Sequence, residues 1–402
     1  MNGTEVGPGA RGPRFKPIYF LAFSGDLLGS LLIVACVLVG TRLGVENWII
    51  GILGSSYGAS YMFSAAMFGH VSDKIGRRRS LFITSIGFSI IATLFIAFPT
   101  IIALLVFGQV AIGILYGFWW SSIEAYISEN TTTADHQRKL NNFCISWSLG
   151  YMMGPFLGPL LSIIGAIFSF LLLLAFSVTN FVIVGLFIQP SGYARGSSLE
   201  GNKDTRHPGN ESLGNLAVPS AILILTIFVY AFTKSFFIGL FPDIAISKIG
   251  FSEVETGAIG LTFGLARTGA FIVQNRMKSK SIALRIAIAL GLSATCFLFA
   301  MTTDFTWYLV FVSVMGVFSG MLYTTTLELL MGINEHRKGR VAGFFEASIG
   351  FGTFIAPILG SSVLGLGYAI AYVVVASVST AIAILALAFY LTSRAIRKHV
   401  IA

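Results

Sequence analysis

Gly69-His70-Val71-Ser72-Asp73-Lys74-Ile75-Gly76-Arg77-Arg78-Arg79 is a polar island between two apolar runs, 46–69 and 80–98. A helix needs roughly 20 apolar residues to cross the hydrocarbon of a bilayer. Each flanking run therefore has the length of one span, and the island is the loop that joins them. Gly69 permits close helix contact, Asp73 puts an acid at a helix end, and Gly76 allows a tight turn. A loop that only marks one face of a membrane needs cations but no acid. Asp73 and Arg77 are therefore read as members of a gate, with Arg77 free to pair with a carboxylate on a neighbouring helix. Arg78 and Arg79 are read as topology markers.

The same alternation of apolar runs and polar breaks extends over the whole chain. Of its 402 residues, 55% are hydrophobic and only 11% charged, with a mean hydropathy of +0.84. Soluble domains carry about 25% charged residues, so too few charges remain here to cover a water-facing surface. The apolar runs predict spans over 17–42, 46–69, 80–98, 100–127, 140–164, 166–189, 218–241, 254–275, 281–302, 304–332, 340–364 and 366–391. The stretch from Leu140 to Gln189 holds no charge and is too long for one span, so it divides near Gly165. The run after Glu346 divides at Gly365-Leu366-Gly367 for the same reason. The fold class expected is an all-α membrane protein of twelve transmembrane helices.

With the N-terminus placed inside, 22 of the 26 Lys and Arg residues fall on the inner face. Only Arg42 and Lys248 fall outside, and Lys234 and Arg267 lie within spans. The positive-inside bias thus puts both termini in the cytoplasm and the chain in the cell membrane as a multi-pass protein. The net charge of +9 then faces anionic lipid, and no nucleic-acid partner is needed to explain it. The segment from Met1 to Lys16 lacks the apolar core and small-residue cleavage site of a signal peptide. Cys36, Cys144 and Cys296 lie inside apolar runs, with no CxxC pair. Neither a disulfide framework nor a metal site is supported, and no cofactor is expected.

The stretch 190–217 is rich in Gly, Ser, Asn and charge, and divides the chain nearly in half. It reads as a cytoplasmic linker between bundles 17–189 and 218–391, with tails 1–16 and 392–402. A shift of 202 residues relates the halves. It places Gly154-Pro155 on Ala356-Pro357, Gly150 on Gly352, Gly158 on Gly360 and Arg138 on Arg340. Two six-helix bundles related by a parallel repeat follow, an arrangement associated with alternating access.

The island at 69–79 closely resembles the signature loop of the major facilitator superfamily, Gly-x-x-x-Asp-(Arg/Lys)-x-Gly-Arg-(Arg/Lys). Glu129 in Tyr126-Ile127-Ser128-Glu129, followed by Arg138, resembles the acid and arginine found at the inner end of the fourth span in many members. The resemblance implies a cytoplasmic charge clasp built from Gly69, Asp73, Gly76, Arg77, Glu129 and Arg138. Gly150, Gly154, Pro155 and Gly158 are similar to the fifth-span motif that the superfamily associates with exchangers, drug exporters especially. The same glycines read equally well as helix packing without bearing on transport direction. Drug exporters of the superfamily carry an arginine in the fourth span, and Gln109 occupies that place here. That departure weakens the exporter reading.

Charges inside spans are rare and expensive. Asp26, Lys234 and Arg267 sit deep in the first, seventh and eighth spans, and Glu346 lies a turn or two into the eleventh. Asp26 and Glu346 are the candidate proton carriers. Lys234, Arg267, Gln109 and Tyr151 are the candidate residues of a substrate cavity. Glu124 and Glu328, nearer the cytoplasmic face, are assigned to the clasp rather than to substrate. Trp119, Trp120, Trp147, Phe236, Phe237 and Tyr323 are also candidates for lining, and the sequence does not separate these from packing aromatics. All five histidines fall in loops or tails, no His pair, Ser-His constellation or metal spacing appears within a span, and no ATP-binding loop occurs, so an enzyme and a primary pump are not expected. The preferred reading is a monomeric, proton-coupled exporter of amphipathic compounds. The alternatives are an uptake or exchange carrier for a small organic anion or other metabolite and, more remotely, a membrane sensor that does not transport.

Overall fold

The computed structural model describes residues 15–67, 74–131, 133–188, 213–274, 281–333 and 338–401. Among the described residues, twelve long helices carry the fold. They are α1 (Phe15–Leu43), α2 (Asn47–Met67), α3 (Arg77–Ala97), α4 (Ile102–Glu129), α5 (Thr133–Ile164) and α6 (Ala166–Phe187) in the first half. The second half holds α7 (Leu213–Gly239), α8 (Glu253–Gln274), α9 (Ile282–Phe299), α10 (Phe305–Ile333), α11 (Lys338–Val363) and α12 (Tyr368–Ile401). Gly165 and Gly367 have φ of 133° and 127°, a backbone that side chains rarely adopt. They break the two long apolar runs where the sequence divides them, and Gly76, at φ 93°, likewise starts α3.

Several boundaries differ from the sequence reading. Arg138 and Lys139 lie inside α5 rather than in a loop, because Thr133–Leu140 already has helical backbone. The seventh helix begins at Leu213, inside the expected linker, and passes beyond Gly239 through a short turn, Phe241–Asp243, into a π-helical segment, Ile244–Ile249. Gly250, at φ 89°, ends it. The expected tail 392–402 continues α12 as far as Ile401. The rest of the linker, and Gly69 and Asp73 of the signature loop, lie outside the described residues.

Eleven of the helices are long and apolar enough to span a membrane, and α2 is the exception among the twelve. The reason is its place. α2 packs on α11 of the other half, and α5 packs on α8. Exchanging the halves maps one of these crossings on the other, which is the pseudo-symmetry the repeat predicts. A helix covered by protein can carry more Ser, Gly and Tyr than a lipid-facing one. Both crossings are made by glycine rows of identical spacing, Gly51, Gly54 and Gly58 on α2 and Gly257, Gly260 and Gly264 on α8. A Cβ added at Gly58 would stand 2.7 Å from the Phe354 nitrogen, and one at Gly260 would stand 2.6 Å from Pro155 Cβ. Both distances are inside van der Waals contact, so only glycine allows this approach.

One end of the molecule carries Phe15, Arg77, Glu129 and Arg138 and is called the basic end. At the opposite, distal end the halves are joined by Arg42–Glu253 at 3.2 Å and by Thr41 Oγ1 donating to Asp243 at 2.9 Å. Gly51 against Ser361 and Gly54 against Gly239 complete the seal.

Candidate functional site

Below the distal seal a cavity of about 90 Å³ opens between the halves. Glu124, at the edge nearest the basic end, is exposed, so the mouth faces that way. Side chains from α1, α2, α4, α5, α7, α8, α10 and α11 reach it.

Two hydrogen bonds fix the height of its floor. Ser235 Oγ donates to Thr353 Oγ1 at 2.9 Å and levels α7 with α11. Ser148 and Thr268 hydroxyls lie 2.9 Å apart and level α5 with α8. Lys234 and Arg267, next to Ser235 and Thr268 in the chain, therefore enter the same region. They share two rings: Lys234 Nζ lies 4.7 Å from the Tyr151 centroid and 5.3 Å from that of Tyr230. The Arg267 guanidinium lies 4.8 and 5.9 Å from the same rings, 4.7 Å from Trp147 and 5.5 Å from Phe271. Arg267 is only 1% exposed, and its Nε has no hydrogen-bond partner. Among the described residues, no carboxylate lies within salt-bridge distance of either cation. Aromatic faces attract a cation but return only part of its lost hydration.

Three acids complete the site. The charge of Asp26 on α1 interacts with those of Arg267, Lys234 and Glu346 across the cavity without touching them. Glu346 accepts a hydrogen bond from Tyr61 Oη at 2.8 Å, which joins the halves at mid-depth. Glu124 lines the mouth beside Trp120. Its expected place in the charge clasp is thus corrected, because its turn of α4 faces the cavity rather than the loop end. The side chain of Glu328 lies outside the described residues.

Of the residues singled out from the sequence, the structure brings Asp26, Glu346, Lys234, Arg267 and Tyr151 to one cavity. It does not bring Gln109. That residue is fully buried with both amide atoms unpartnered, and it does not line the cavity. The reason is helical phase: Gly113 and Gly117, one and two turns on, pack against α2 at Ser60 and Ser64. Among the aromatics, Trp120, Trp147 and Tyr323 line the cavity, whereas Trp119, Phe236 and Phe237 pack elsewhere in the bundle. Tyr57, Tyr61 and Tyr230 also line it, and the sequence reading did not single them out. A signal for Tyr61 was available. The two glycine rows are related by a shift of 206 residues, and the same shift takes Tyr61 to Arg267.

At the basic end, Arg77 Nη2 and Nε donate to Glu129 Oε1 at 2.8 and 3.2 Å and tie α3 to α4. Arg138 is exposed at the same end, on α5. Gly150, Gly154 and Gly158 seat α5 on α1, at Phe23, Leu31 and Val34, while Pro155 meets Gly260 of α8.

The family profile described as Major Facilitator Superfamily matches residues 18–333 and 223–401. The chain belongs to the Major Facilitator Superfamily. Solved superfamily-like structures share its fold at low identity. The nucleoside transporter NupG aligns with TM-score 0.69 at 16% identity, over 94% of this chain and 98% of that one. The human organic anion transporter MFSD10 (TETRAN) aligns with TM-score 0.66 at 16% identity, over 94% and 99%. Among curated proteins, "Putative metabolite transport protein YaaU" of Escherichia coli K12 is 31% identical over 114 residues, 28% of this chain and 25% of that protein. "Glucose transporter GlcP" of Staphylococcus epidermidis is 31% identical over 120 residues, 29% and 27% of the two chains. The match thus spans about a quarter of these curated relatives. As a superfamily member the chain is a multi-pass membrane transporter and not an enzyme.

Proposed function

We propose that this transporter carries a small organic anion, that Lys234 and Arg267 hold its negative group, and that Asp26 takes up a proton with it. The observation that carries the reading is the unpaired state of two buried cations at one end of the cavity. A buried cation without a partner costs several kcal/mol, roughly, and is kept only where something else supplies the counter-charge. Arg267 offers a planar fork suited to a carboxylate or similar group, and Lys234 a second point charge beside it. The surrounding rings suit an aromatic or apolar body.

Coupling follows from shared charge. Asp26 interacts with both cations. An anion seated between Lys234 and Arg267 draws their field away from Asp26 and makes its neutral form cheaper. Substrate and proton then bind together rather than in competition. Glu346, held by Tyr61, is the second candidate for the proton. The basic end is assigned to the cytoplasm by the charge bias, which makes the described state inward-facing. The fifth-helix motif is occupied in packing on α1 and α8 and argues no direction of transport.

The test is a thermal-shift panel of small carboxylates and matched neutral amides on purified full-length protein. A ligand that binds the folded state raises its stability. Carboxylates that stabilise where their amides do not support the reading. A panel in which only neutral compounds stabilise the protein overturns it.

A further inference from the structure

The cations are only one pole of the cavity. Thr353 stands level with Lys234, and Glu346 lies seven residues nearer the basic end on α11, about 10 Å along the helix axis. Glu124, on α4 in the other half, reaches the same region. Glu124 and Glu346 thus line one part of the cavity from opposite halves, and Glu124 has no hydrogen-bond partner among the described residues. Tyr61, Trp120 and Tyr323 line the cavity with them. Two like charges held close destabilise each other, and a cation placed between them removes that cost. Aromatic faces around such a pair add attraction for an ammonium group. An acidic pair alone would not define a site. Here the same cavity also receives Arg267, nearly fully buried and with its Nε lacking a hydrogen-bond partner among the described residues, which calls for a ligand.

We infer that the substrate is bipolar: its anionic group sits at Lys234 and Arg267, and an ammonium or similar cationic group sits between Glu124 and Glu346. This rests on the organic-anion reading and narrows it to zwitterions whose charges are separated by several bonds. Bridging acids from α4 and α11 also lets the substrate draw the two halves together at the mouth. α-Amino acids, with their charges on one carbon, are too short to reach both poles.

The experiment is calorimetric binding to purified full-length protein with three probes on one phenyl-ethyl frame, 4-(2-aminoethyl)benzoate, 4-ethylbenzoate and 2-phenylethylamine. The zwitterion is expected to bind about tenfold or more tighter than 4-ethylbenzoate. Glu124→Gln and Glu346→Gln, each checked for a cooperative melt, are expected to bring these two affinities together. Binding of 4-ethylbenzoate as tight as that of the zwitterion in the parent protein overturns the bipolar site and leaves the anion reading standing. Binding of 2-phenylethylamine as tight as the zwitterion, or binding of none of the three, overturns both. If both Gln variants keep the parental ratio, the amine does not sit between these acids and the inference fails.

Discussion

Replacing Arg267 with Gln separates a ligand-holding cation from a structural one by acting unequally on two observables. The guanidinium is 1% exposed and is attended by four rings rather than by a carboxylate. Each ring contact contributes roughly 0.5–2 kcal/mol, while desolvating the charge costs several kcal/mol. The four contacts together, about 2–8 kcal/mol, are of the same order as that cost, so removing the charge from the empty transporter is expected to leave its melting temperature near that of the parent. The bound state behaves otherwise. A forked pair to a carboxylate makes two charge-assisted hydrogen bonds of roughly 1.5–3 kcal/mol each. Losing the pair costs about 3 kcal/mol or more, which is a hundredfold or more in Kd. Arg267→Lys keeps the charge and loses the fork, so its affinity should fall between. The assay is thermal stability without ligand beside equilibrium binding of a stabilising carboxylate. A variant that melts well below the parent yet binds the carboxylate within about threefold would show that Arg267 is scaffolding, and the reasoning would be refuted.

Asp26→Asn should abolish accumulation driven by a pH gradient in proteoliposomes while substrate exchange continues; unchanged gradient-driven uptake removes Asp26 from the coupling. The Arg77–Glu129 pair is partly exposed, so Arg77→Gln should change stability by no more than about 1 kcal/mol. Its effect should instead appear in transport rate, with the swap Arg77→Glu and Glu129→Arg recovering part of it; loss of folding in the single variant would contradict this. Gly260→Val forces a side chain into Pro155, at a typical overpacking cost of 1–3 kcal/mol that only the distally closed state meets. Spin labels on Trp48→Cys and Val254→Cys, exposed in opposite halves at the distal end, should therefore report a longer distance. Finally, a thiol at Ser198→Cys should resist membrane-impermeant reagents applied to intact cells, and ready labelling there would reverse the orientation.

The sequence alone determined the number and order of the spans, because the free energy of hydrocarbon depends on composition over about 20 residues. It located the turns at Gly165 and Gly367, since a chain must double back where an apolar run exceeds the bilayer. It singled out Asp26, Lys234, Arg267 and Glu346, because a charge within a span is costly wherever it points. It exposed the repeat, although the glycine rows that seal the halves went unread; their spacing of three and then four residues was legible at a shift of 206. What remained for the tertiary structure was direction. Gln109 and Glu124 lie on the same helix, yet one is enclosed by protein and the other faces the cavity mouth. Trp119 packs and its neighbour Trp120 lines the cavity. Which side of α4 meets the cavity depends on how eight helices from two halves are arranged around it, and no local pattern encodes that. The unpaired state of Arg267 is likewise a statement about what does not come near it, which only the packed molecule decides.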